Sequence, residues 1–98
     1  MSTPVVNAPD THAKNASGHL ARAVTLHLAG KREEALKQLQ GAISGGQASA
    51  EVYRAMGHIQ FELGDFAQAE QSYRSLTKMK PQYPMGWFNL AVCQERAD

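Results

Sequence analysis

Four histidines, one cysteine and a pair of adjacent glycines are the residues of this chain whose types could carry chemistry. Of His12, His19, His27 and His58, the second and third stand eight residues apart, close to one helical face, and His58 falls in a later helical stretch. A metal site needs three or four ligands converging at about 2 Å, and no cysteine or carboxylate stands at ligand spacing with these histidines. No metal is expected, and the histidines read as partly exposed structural residues. Cys93 follows Leu90, Ala91 and Val92 with no base nearby in sequence, so it reads as a small buried hydrophobe rather than a nucleophile. Gly45 and Gly46 lack a Lys, Ser or Thr in phosphate-loop register and read as a turn. The expectation is a protein without catalysis and without a cofactor.

Composition narrows the partners. Of 98 residues, 43% are apolar and 19% charged, ordinary values for one folded domain. A net charge of +1 leaves no basic excess for a phosphate backbone, so nucleic acid is not an expected partner. No run approaches the ~18 apolar residues of a membrane span, and the polar N-terminus, with Pro4, Pro9, Asp10 and Lys14, has no signal-peptide pattern. A single cysteine fits a reducing compartment, and the expected location is cytoplasmic.

The elements that would position any site come from an internal repeat. Ala16, Gly30, Ala35 and Leu39 return 34 residues later as Ala50, Gly64, Ala69 and Tyr73. The same step carries Tyr53 to Trp87, Met56 to Leu90 and Gln60 to Gln94, so a third unit opens near Pro84 and the chain stops halfway through it. This period is the signature of stacked helical hairpins. Residues 1–14 have no apolar period and read as a flexible tail. Leu20, Ala23, Val24 and Leu28 recur at helical spacing over 16–28, with Gly30 ending the helix. Ala35, Leu36, Leu39, Ala42 and Ile43 form the stripe of a second helix over 32–43. A third runs over 50–63, where Gly57 admits a close neighbour. A fourth, to about residue 79, opens at Asp65 with Gln68 three residues on, a capping-box spacing. Pro81 cannot continue it, and Pro84 suits the first turn of a fifth, to about residue 96.

Within 50–83, Tyr53, Met56, Gly57, Ala69, Tyr73 and Pro81 resemble the tetratricopeptide repeat, whose pattern is W-x2-L-G-x2-Y, then A-x3-F, then P. The sequence departs from it at Gln60, where the family has Tyr. Trp87 and Leu90 supply the third unit's pattern. The first unit is degenerate, with His19, Arg22, Ala23 and Gln47 at pattern positions, as at the end of an array. The resemblance implies an all-α right-handed superhelix of five helices: repeat one over 16–49, repeat two over 50–83 and a half repeat over 84–98.

It also implies a non-catalytic protein-interaction module with a concave groove along the first helix of each unit. Carried over position by position, the groove residues are Leu20, Val24 and His27, then Arg54, His58 and Phe61, then Phe88, Asn89 and Val92. In relatives that hold the acidic tails of heat-shock chaperones, a Lys and two Asn stand where this chain has Leu20, Val24 and Ala55, so that partner is not expected. A more apolar extended segment or a partner helix suits the groove, with Arg54 able to anchor a carboxylate. Residues 85–93 are apolar almost all round, and such a helix is normally covered. The cover would be the next helix of a longer array, cut away here, or a second copy paired through Trp87, Phe88 and Leu90. Self-association as a structural scaffold, and an accessory role in a larger, enzymatic protein, are the alternative functions.

Overall fold

A computed structural model describes residues 16–97, and among them the regular elements are five α-helices. They are α1 (Ala16–Leu28), α2 (Arg32–Ser44), α3 (Ala50–Glu62), α4 (Phe66–Met79) and α5 (Pro84–Ala97). The expectations for residues 1–14 and His12 lie outside the described residues. The chain divides into two compact units, Met1–Ala48 and Ser49–Asp98.

In the first unit, α1 and α2 form a hairpin. Gly30 has φ of +80°, which allows the Schellman closure in which its N–H donates to His27 O and that of Lys31 donates to Leu26 O at 2.8 Å. Ala23, Ala35, Leu39 and Ala42 are buried. The helices meet over small residues, and the ring of His19 lies where a Cβ on Gly41 would be 3.1 Å from its Cε1. His19 Nδ1 is also 3.2 Å from Gln38 Oε1. The expected apolar stripe of α1 is only partly right: Val24 is 49% exposed and Leu28 is 82% exposed. Leu20, Val24 and Leu28 follow an i, i+4 line while Ala23 lies on the neighbouring line, and periodicity does not say which line is buried.

The second unit packs α4 between α3 and α5. Ser49 caps α3, its Oγ accepting the Val52 N–H at 3.2 Å. Gly64, at φ +80°, closes α3 as Gly30 closes α1, and Asp65 N–H donates to Gln60 O at 2.9 Å. That closure overturns the expected capping box. Asp65 is held at φ −91° and ψ 72°, away from the extended backbone of Ser49, and its side chain makes no cap hydrogen bond. One residue serves as the exit of α3 and the entry of α4, and the first role sets its backbone.

Ala50 of α3, Ala69, Tyr73 and Leu76 of α4, and Leu90 and Cys93 of α5 form the core of this unit, flanked by Tyr53, Phe61 and Tyr83. At Gly57 the ring of Tyr73 from α4 packs directly on the backbone of α3. A Cβ there would sit 2.7 Å from the Tyr73 ring, so only glycine fits without displacing that ring. Gln60, the departure from the family pattern, is buried with Ser72, and its terminal amide lies 2.6 Å from Ser72 Oγ. With that amide turned about its end, its nitrogen also donates to Met56 O and Gln68 O, at 3.2 and 3.0 Å. A buried polar side chain is thereby satisfied within the unit.

Candidate peptide-binding groove

Two neighbouring hollows mark the second unit. The larger, of about 320 Å³, is lined by His58 and Phe61 of α3, Tyr73 of α4, and Phe88, Asn89 and Val92 of α5. Its walls are aromatic and aliphatic, with the Asn89 amide and the His58 imidazole among them. Five of the residues expected in the groove meet here. The sixth wall is Tyr73, which the sequence offers only as a position of the repeat pattern. Its ring packs on Gly57 from behind and still reaches the hollow, a double role that a one-face reading of α4 does not anticipate.

The smaller hollow, of about 240 Å³, is lined by Ala50, Glu51 and Arg54 of α3, Leu76 and Lys80 of α4, and Tyr83. It contains Arg54, the remaining second-unit residue expected in the groove. Of the two hollows, Tyr73 walls the larger alone. Burial pushes its hydroxyl pKa up from 10 to about 12, Cys93 and Tyr83 add to the rise, and the positive charge of Arg54 opposes it. Arg54 is therefore close enough for its field to reach the phenol that walls the larger hollow.

Aromatic packing lies beside the larger hollow at Phe61. Phe61 meets Phe66 edge to face at 5.0 Å between centroids, and the Arg96 guanidinium lies 5.4 Å from the Phe61 centroid and 5.7 Å from that of Phe66. His58 Nε2 is 3.2 Å from Glu62 Oε2, one turn further along α3. This corrects the expectation that no carboxylate stands at spacing with a histidine. The i, i+4 spacing of His58 and Glu62 is legible in the sequence.

In the first unit, Leu20 and His27 are half-buried on α1 and Val24 is exposed. A hollow of about 490 Å³ in that unit is lined by other residues, Ala21, Arg22, Thr25, Leu26 and Gln38. On α5, Trp87 is 51% and Phe88 61% exposed, but Leu90 is 6% exposed and belongs to the core. Leu90 is thus removed from the expected self-association surface, because it continues the Gly86 and Cys93 line that faces α4. Trp87 Nε1 donates to Pro81 O at 2.8 Å, tying the start of α5 to the preceding turn. Cys93 is fully buried, and burial followed by the Glu70 carboxylate raises its thiol pKa, which disfavours the reactive thiolate.

The family model for the tetratricopeptide repeat matches residues 50–83, the stretch that holds α3, the Gly57 and Tyr73 contact, α4 and Pro81. Over residues 50–83 the chain is similar to a tetratricopeptide repeat. Repeats of this family generally mediate protein–protein interaction and are typically non-catalytic. No curated protein and no solved structure matches the chain significantly. Among the described residues, no helix is long and apolar enough to cross a membrane.

Proposed function

We propose that this protein binds an extended peptide or partner helix in the groove that its tetratricopeptide repeat forms with α5. The observation that carries the reading is the open, mostly apolar hollow walled by Phe61, Tyr73, Phe88 and Val92, with Asn89 at hand for a backbone amide. Such concave sites, apolar with a few placed polar groups, are the usual seats of ligands. The test is selection of peptides from a random library on the intact chain. Selected peptides should bind at least about tenfold more weakly to Phe88→Ala, the loss of one buried aromatic contact, and normally to Leu28→Ala, an exposed change outside the groove. Equal binding to both variants would count against the groove. A second reading, association of two copies through α5, is favoured by the exposure of Trp87 and Phe88.

A further inference from the structure

The two hollows differ in chemistry, and the difference specifies a ligand. The smaller has a floor of Leu76 and Ala50, with Arg54 and Lys80 as its cations and Glu51 as its single carboxylate. Among the described residues neither Arg54 nor Lys80 makes an ion pair. Two cations against one carboxylate leave a single positive charge, which suits one carboxylate of a ligand better than a dianionic phosphate. The larger hollow offers Phe61, Phe88 and Val92 to an apolar side chain.

Their separation sets a register. Arg54 and Phe61 are seven residues apart on α3, about 10 Å along its axis. A polyproline-II strand presents every third side chain on one face, about 9 Å apart. A β-strand presents every second, at about 7 or 13 Å, and fits less well.

We infer that the groove takes an extended, polyproline-II-like segment carrying a carboxylate and a large apolar side chain three residues apart, the carboxylate between Arg54 and Lys80 and the apolar group between Phe61 and Phe88. This rests on the groove reading and adds the composition and spacing of the ligand. It places the acid at Arg54 and Lys80, not at Leu20, Val24 and Ala55, the positions of the chaperone-tail clamp in the family.

The test uses the full chain and short capped peptides of Pro, Ala and Ser that carry one Glu and one Leu at i, i+2, at i, i+3 or at i, i+4, in both orders. A further peptide replaces the Glu by a free C-terminal carboxylate, which separates a side-chain source from a chain end. Binding is read by fluorescence anisotropy. The i, i+3 peptide is expected to bind about tenfold tighter than the other spacings, and to lose about tenfold on Arg54→Ala, on Lys80→Ala and on Glu→Gln in the peptide. Both cations are exposed, and circular dichroism of the variants checks the fold. Equal affinity across the spacings, or no loss with either cation variant, would overturn the proposal, as would absence of binding across the panel. The groove reading is decided separately, by the effect of Phe88→Ala on library-selected peptides.

Discussion

Tyr73 does two jobs with one ring, filling the space above Gly57 and walling the hollow in which Phe88 and Val92 lie. Its hydroxyl titrates near 12 in the folded protein against an ordinary 10 in the unfolded chain. Between those values the unfolded state has lost a proton that the native state retains, so stability falls as pH rises. The contribution is fully present below about pH 10 and gone above about pH 12, at a rate of about 1.4 kcal/mol per pH unit, on the order of 3 kcal/mol in all. Urea denaturation at about pH 9 and pH 11.5 should show a larger drop in the native protein than in Tyr73→Phe, which keeps the ring over Gly57 and the part of the drop that the raised Cys93 thiol contributes. An equal drop in both proteins would sink the assignment. The position of Tyr73 could be read from the repeat, because the aromatic and the glycine recur in the family pattern. The buried bond between Gln60 and Ser72 could not: a mid-helix glutamine on an apolar line has no sequence signal naming its partner twelve residues on.

At the scale of elements, the helices could be read almost residue by residue, since Gly30, Gly64 and the two prolines punctuate them. What the pattern left open was which line of side chains each helix buries. In α1 the larger residues Val24 and Leu28 face outward while Ala23 is covered, and in α5 Leu90 goes inward while Trp87 stays on the surface. Both outcomes follow from tertiary packing, which chooses among lines that a helical period makes equivalent. Of the residues expected in the groove, His58, Phe61, Phe88, Asn89 and Val92 line one hollow, as their spacing along α3 and α5 allows. The long-range packing of Arg96 on Phe61 and Phe66 left no trace in spacing. This contact holds the last turns of α5 against the hairpin of α3 and α4. Arg96→Ala should therefore lower the stability of the second unit by ~0.5–1 kcal/mol, the range for a cation over exposed aromatic faces. Urea denaturation followed by the fluorescence of Trp87, which lies on α5, reads this directly. A midpoint unchanged by Arg96→Ala would mean the guanidinium is only solvated there.

For the molecule as a whole, the question is whether α5 serves a groove or a second copy. Met85, Trp87 and Phe88 are its exposed large apolar residues. A stable interface buries about 800 Å² on each partner, and even a fully covered aromatic supplies only about 150–250 Å². Three side chains, one of them already turned partly into the groove, fall short of that area. The small net charge of +1 offers little long-range repulsion, so weak contact between copies is not opposed. Sedimentation equilibrium should accordingly give a monomer at micromolar concentration and a rising mass only toward about millimolar, where an interaction of roughly 4 kcal/mol becomes visible. Phe88→Ser should abolish the rise, since it removes the most exposed aromatic of the patch. A groove-bound peptide should suppress it as well, because Phe88 cannot cover a ligand and a second copy at once. A defined dimer at micromolar concentration, insensitive to both, would put the principal interface elsewhere and displace the groove as the first reading of this surface.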